Sequence, residues 1–388
     1  MNIALFTDSY TPVKNGVVTS VRQLKEGLES RGHNVIVITA EVPYYQDTES
    51  GIYRLPSVPA KLGAGTEFRF SMINQSPINK FLKKRKIDII HTHSEFSIGF
   101  CGKRAAKKLK VPLVHTTHTM WENYTHYLMN GKLITPKMAR KYMAMYLKNV
   151  TQIVAPSVKA KNYYSQIVPN KPIEIVPNGI DSDKFKSSEI KPDEINQLRK
   201  EFGIKKNDIN LIFVGRVGQE KRVDELFATA APILKKYDNL KMIIVGDGPN
   251  LHELRDKASK MGLQKKFIFT GFVNWELVYR LYSMSDIFVT LSLSEVHPMT
   301  LIEGAMCGLP IIARYDESCL DLVDEGKSGF LIHEDSELED KIKYYLDNPD
   351  ALKAAKEASF ELSKQFTAEH HVEKIEKLYE RVIAEFKK

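Results

Sequence analysis

Short apolar runs alternate with longer amphipathic stretches along most of the chain. Residues 2–6, 34–39, 88–91, 111–115 and 152–155 are dominated by apolar side chains, chiefly Ile and Val, the pattern of strands buried on both faces. Between the first two lies 17–30, where Val18, Val21, Leu24 and Leu28 recur at helical spacing above a charged face. The basic segments 82–86 and 103–110 read as further helices. The alternation starts again at 210–214 and runs through 241–245, 266–270, 286–293, 310–313 and 329–333. Between the two series, Pro177-Asn178-Gly179-Ile180-Asp181 punctuates a turn-rich stretch from 168 to 183, the composition of a domain joint. Each series predicts βαβ units, a parallel sheet and helices on both its faces. The expectation is an α/β chain of two domains, 1–180 and 181–365, followed by 366–388, where Val372, Ile375, Leu378 and Val382 mark an amphipathic helix over 368–386. Ligands of such sheets bind beyond the carboxyl ends of the strands.

A length of 388 residues exceeds one comfortable core and agrees with two domains. Charge sharpens the division. Residues 1–180 hold 25 Lys and Arg against 11 Asp and Glu, a net +14; with +8 overall, residues 181–388 carry −6. A basic first half suits nucleic acid, an anionic membrane or acidic metabolites. No apolar run approaches the length of a membrane span, and Met1 leads straight into the first strand without a secretory leader, so the expected location is the cytoplasm. Cys101, Cys307 and Cys319 are odd in number and lack metal-site spacing, which predicts buried thiols.

The chemistry concentrates where the predicted strand 286–293 runs into Ser294-Glu295-Val296-His297-Pro298-Met299-Thr300-Leu301-Ile302-Glu303. Pro298 suits the first turn of a helix, and the free amides of that turn, on Met299, Thr300 and Leu301, form an anion site. Glu295 and Glu303 bracket it, placed to accept hydrogen bonds from sugar hydroxyls. His297 reads either as a sugar contact or as a helix cap. On the same rim fall Gly215-Arg216-Val217-Gly218-Gln219-Glu220-Lys221, Gly246-Asp247-Gly248-Pro249 and Gly271-Phe272-Val273. Arg216 offers a fork and Lys221 a mobile point charge to a pyrophosphate. The loop after the first strand, residues 7–17, is no G-x-G-x-x-G, which disfavours a nicotinamide enzyme, although Gly16 lets backbone approach a ligand. His91-Thr92-His93 and His115-Thr116-Thr117-His118 end two strands without the spacing of a metal site and read better as ligand contacts.

Together, Gly215-Arg216 with Glu220-Lys221, Gly246 to Pro249, Pro177 to Asp181, and Glu295 to Glu303 with Gly308-Leu309-Pro310 resemble the retaining glycosyltransferases of family four. The match runs through nearly the whole chain in order. The opening, Phe6-Thr7-Asp8-Ser9-Tyr10-Thr11-Pro12 through Gly16-Val17-Val18-Thr19-Ser20-Val21, is also similar to the bacterial diacylglycerol glucosyltransferases of that family. The resemblance implies the GT-B fold, two Rossmann-like domains facing across a cleft, with the final helix crossing back to the first. It implies that Glu295 binds hydroxyls of the transferred sugar and Glu303 the ribose diol. Met299, Thr300 and Leu301 would hold diphosphate or sugar through their amides, and Val273 the base through its backbone. Arg216 and Lys221 would neutralise the leaving group, Gly16 would approach the diphosphate, and His118 would lie near the donor sugar and acceptor hydroxyl. Many members carry a Gly-rich segment where this chain has Val296-His297-Pro298, which leaves the hexose open.

Negative charge develops on the phosphate as the glycosidic bond breaks, so electrostatic stabilisation of the leaving group dominates the expected chemistry. Arg216, Lys221 and a helix start supply it without a metal or other cofactor. A glycosidase also uses two carboxylates, but that rival leaves the phosphate clamp unexplained. The basic helical stretches 79–87, 103–110 and 132–148, the last mixing Met138, Met143 and Met145 with Lys137, Arg140 and Lys141, suit an anionic lipid surface. The resemblance therefore implies glucose transfer from UDP-glucose to the 3-hydroxyl of 1,2-diacylglycerol, with retention, by a protein held peripherally at the inner face of the membrane. A family-four transferase with a soluble, polysaccharide or phosphatidylinositol-type acceptor is the alternative. A nucleic-acid module finds no stacking-aromatic or groove-reading motif.

Overall fold

The computed structural model describes residues 1–59, 69–122, 135–185 and 190–388. The chain forms two compact units, Met1–Ile180 with Ala368–Lys388, and Asp181–Thr367.

In the first unit, the strand Asn2–Phe6 is paired in parallel with Asn34–Ala40 on one side and Ile89–Thr92 on the other. The sheet continues outward to Ile52–Leu55 at one edge and through Leu113–Thr116 and Gln152–Ala155 to Ile173–Ile175 at the other, every pair parallel. Alternate residues of the central strands feed two cores, as strand geometry requires. Ala4, Phe6, Ile36, Ile38 and Ile90 pack with Ile98, Cys101, Ala105 and Tyr146 on one face. Ile3, Leu5, Val35, Val37 and Ile89 pack with Val21, Leu24 and Leu28 of the helix Gly16–Ser30 on the other. The helix Ala368–Phe386 lies on that second face and buries Val372, Ile375, Leu378, Tyr379 and Val382. Each such aliphatic side chain is worth about 1.5–3 kcal/mol when fully buried. The two helices meet closely at Gly27, where an added Cβ would lie 2.5 Å from Val372 Cγ2. Arg31 Nε donates to Glu376 at 2.6 Å across the same seam.

The second unit has a six-stranded parallel sheet in the order Phe267–Gly271, Leu240–Val245, Ile209–Val214, Ile287–Thr290, Ile311–Arg314, Gly329–Ile332. Chain order reverses between Ile209–Val214 and Ile287–Thr290, the topological switch point of a Rossmann-type sheet.

Several elements differ from expectation. The edge strands Ile52–Leu55 and Ile173–Ile175 and the antiparallel pair Ser57–Pro59 with Arg69–Ser71 were not foreseen. All are short and mostly half-buried or exposed, so they carry no continuous apolar run. The helix expected at 103–110 begins at Ser97 and ends at Leu109, and the one expected at 82–86 spans Gln75–Lys84. Of the stretch 132–148, residues 132–134 lie outside the described residues; Pro136–Leu147 is helical, with Thr135 Oγ1 accepting from the Met138 amide.

Candidate active site

The site in the second unit grows from three glycine loops at the carboxyl ends of its strands. Gly246 holds φ +135°, and a Cβ there would stand 1.9 Å from the Gly215 carbonyl oxygen; at Gly248 a Cβ would stand 2.2 Å from that of Val217. Side chains are excluded so that the two loops can lie backbone to backbone. The Val217 amide donates to Asp247 O at 2.9 Å, and the Asn250 amide to Val217 O at 3.2 Å. This lock carries the short 3₁₀ turn Gln219–Lys221, which brings Lys221 Nζ onto Glu295 Oε1 across the switch point. Ser292 Oγ donates to the same carboxylate oxygen at 3.2 Å. The two cations expected to act together are placed differently. Lys221 is half-buried and paired with Glu295, whereas Arg216 is 55% exposed, with Nε 3.7 Å from Glu220 Oε1.

The helix after Glu295 is Met299–Met306. Pro298 stands one position before it, at φ −75° and ψ 99°, and not within the first turn as expected. Of the three amides assigned to an anion, that of Leu301 already donates to Pro298 O at 3.1 Å; Met299 and Thr300 head the helix. Of the two readings of His297, the helix cap is not realised: neither ring nitrogen has a hydrogen-bond partner. It is buried beside Phe366, ring centroids 5.8 Å apart, with Nε2 3.3 Å from Asp321 Oδ2. Glu303, 4% exposed, accepts from Trp275 Nε1 at 2.8 Å and from Tyr282 Oη at 2.9 Å, one donor per oxygen. Burial pushes its pKa up to about 7 against the pull of those two bonds. Val273 is half-buried in the turn between Phe267–Gly271 and the helix Trp275–Ser283. Trp275 and Tyr282 were not foreseen. They lie 28 and 21 residues from their carboxylate, and no local pattern marks them.

The first unit has its own switch point, between Asn2–Phe6 and Ile89–Thr92. Asp8, just past the first strand, accepts from Ser94 Oγ at 2.6 Å, Ser97 Oγ at 2.8 Å and the Ile98 amide at 3.0 Å. Burial raises its pKa and these bonds lower it. It caps the helix Ser97–Leu109 from 90 residues away, so the start of that helix has no local signal. Gly16 is exposed at the first position of the helix Gly16–Ser30, where Asn15 Oδ1 accepts from the Val18 amide at 2.9 Å. His118 is half-buried past the strand Leu113–Thr116, its Nε2 3.1 Å from His93 Nδ1. Burial, then the neighbouring His115 and His371, pushes its pKa down to about 3. Among the described residues no group of three or more His, Cys, Asp or Glu is arranged to hold a metal ion.

Residues 14–184 match the model of Glycosyltransferase Family 4, and residues 194–362 that of Glycosyl transferases group 1. The alpha-monoglucosyldiacylglycerol synthase of Acholeplasma laidlawii is 33% identical over 98% of this chain and 96% of its own. The synthase of the same name from Streptococcus pneumoniae is 34% identical over 87% and 76%. The chain is a family 4 glycosyltransferase. Its fold is GT-B. Anabaena HepE, solved with UDP, superposes at a TM-score of 0.78 with 17% identity, covering 98% of this glycosyltransferase and 100% of HepE. Sucrose-phosphate synthase from Thermosynechococcus elongatus superposes at 0.77, also with 17% identity, over 99% and 100%. The glycosyltransferase is thus a retaining hexosyltransferase, with Lys221, Glu295 and the start of the helix Met299–Met306 gathered at the switch point of its second unit.

Proposed function

We propose that the enzyme transfers glucose from UDP-glucose to the 3-hydroxyl of 1,2-diacylglycerol with retention of anomeric configuration. The observation that carries this reading is the Lys221–Glu295 pair at the switch point, a cation and a carboxylate held together where a nucleotide sugar would lie. The relatives named for monoglucosyldiacylglycerol synthesis support the acceptor, and a UDP-bound neighbour of the same fold supports the nucleotide. Glu295 would bind the transferred hexose and Glu303 the ribose. Arg216, Lys221 and the amides of Met299 and Thr300 would take up charge as UDP leaves. Those donors fill the part a metal ion would play, so turnover should survive a chelator.

The acceptor is a lipid, and the first unit offers a surface suited to it. On the helix Pro136–Leu147 and the residue after it, Lys137, Met138, Lys141, Met145 and Lys148 are exposed at near-helical spacing, while Ala139, Met143, Tyr146 and Leu147 are buried. Basic and apolar side chains together favour an anionic bilayer, about 1 kcal/mol per Lys or Arg near the surface. No helix of the described residues is long and apolar enough to cross a membrane, and peripheral attachment at the cytoplasmic face fits this reading. The test is incubation with labelled UDP-hexoses and vesicles of mixed membrane lipids. Labelled α-monoglucosyldiacylglycerol is expected; label in no lipid, or in a different lipid, overturns the proposal.

A further inference from the structure

Strands Ile89–Thr92 and Leu113–Thr116 pair in parallel with Thr92 opposite His115, so their histidines emerge at one end of the sheet. His91 is satisfied at both ring nitrogens, with Nδ1 2.6 Å from Tyr379 Oη and Nε2 2.7 Å from Thr116 Oγ1. His93 packs against it with the rings tilted by 36° and their centroids 4.0 Å apart, and reaches His118 through Nδ1 at 3.1 Å. Its own Nε2 is buried without a hydrogen-bond partner. Burial holds His93 and His118 neutral, so the bond between them contains a single proton. If His118 donates it, His93 must bury an N–H at Nε2 with nothing to accept it. If His93 donates, only a lone pair is left unpaired, and orphaned buried N–H groups are the rarer of the two in folded proteins. The hydrogen bond at one imidazole nitrogen decides which tautomer the ring adopts.

We propose that His93 is a positioning residue that donates from Nδ1 to His118 Nε2 and holds His118 in the Nδ1–H tautomer. His118 then keeps its one proton at Nδ1 and offers a fixed donor there, and no base at Nε2; the use of that donor in turnover rests on the chain being the transferase proposed above, whereas the tautomer does not. The test is long-range proton–nitrogen NMR of the full-length enzyme labelled with ¹⁵N-histidine, with each ring assigned by substitution. The expected spectrum shows His118 protonated at Nδ1 and bare at Nε2; protonation at Nε2 overturns the proposal. His93→Phe keeps the ring against His91 but removes the donor. It should release His118 to the other tautomer and lower kcat about tenfold, the scale of one lost hydrogen bond, with KM for the sugar nucleotide unchanged. His93→Asn, whose amide nitrogen can stand where Nδ1 stood, should restore both readouts. A phenylalanine variant with wild-type tautomer and kcat would also overturn the assignment. Because the wild-type spectrum needs no turnover, failure of glucosyl transfer would sink the functional reading alone.

Discussion

Glu303 is a carboxylate whose cost depends on pH. Burial holds its pKa at about 7, against an ordinary 4.5. The folded state therefore keeps a proton that the unfolded chain has lost across that interval. Its contribution to stability is fully present below about pH 4.5 and is lost as pH rises through 7, an effect of roughly 3 kcal/mol. Glu303→Gln retains partners for Trp275 and Tyr282 and removes the titration. The variant should gain in Tm over the wild type between pH 5 and pH 8, and a difference flat across that range would refute the shifted carboxyl. Thermal melts of the two proteins side by side decide it, since buried histidines, which act in the opposite direction, cancel. The cations make a second contrast. Lys221 is held at the switch point by Glu295, and its removal should cost kcat on the order of 10²–10³-fold, the scale of a lost oxyanion donor. Arg216, more than half exposed, should cost less when changed to Ala. Equal losses in steady-state kinetics would contradict that ranking.

At the scale of elements, the seam between Gly16–Ser30 and Ala368–Phe386 turns on Gly27. Alanine ordinarily favours a helix by up to about 1 kcal/mol over glycine. Here its Cβ would meet Val372 Cγ2 at 2.5 Å, and Val372 is short, branched and buried, with no free end to swing away. Overpacking of this kind costs about 1–3 kcal/mol, so Gly27→Ala should lower Tm, and Val372→Ala in the same chain should recover part of the loss. A rise in Tm for the single variant would show that the seam is loose. What could be read in advance follows from the same physics. Asn2–Phe6, Gln152–Ala155 and Ala368–Phe386 were legible to the residue because burial demands an unbroken apolar run or a regular stripe. Edge strands make no such demand, and the start of Ser97–Leu109 depends on Asp8, far away in sequence. In the site, the motifs put Lys221 and Glu295 on one rim, and the fold pairs them there. The donors to Glu303 and the use of the Leu301 amide depend on tertiary and turn geometry that composition does not encode.

Across the whole molecule the charge is uneven. Residues 368–388 hold five basic and five acidic side chains, so the first unit keeps its net +14 while residues 181–367 carry −6. A field of that size draws the first unit toward an anionic surface and repels the second, and salt weakens both effects as the Debye length falls from about 8 Å at physiological strength to 3 Å at 1 M. If the exposed stripe of Lys137, Lys141 and Lys148 with Met138 and Met145 is where a bilayer is met, two contributions separate. Lys137→Glu with Lys141→Glu should reduce sedimentation with anionic vesicles at low salt and little at high salt, where the attraction is already screened. Met138→Ser with Met145→Ser should reduce it at both, because apolar insertion is not screened. Neither pair belongs to the sugar-nucleotide site, so transfer to an acceptor dispersed in detergent should be unchanged. Binding to neutral vesicles as strong as to anionic ones, or charge variants that lose detergent activity in step with binding, would remove the electrostatic basis of the docking and leave the basic surface as a solvated face.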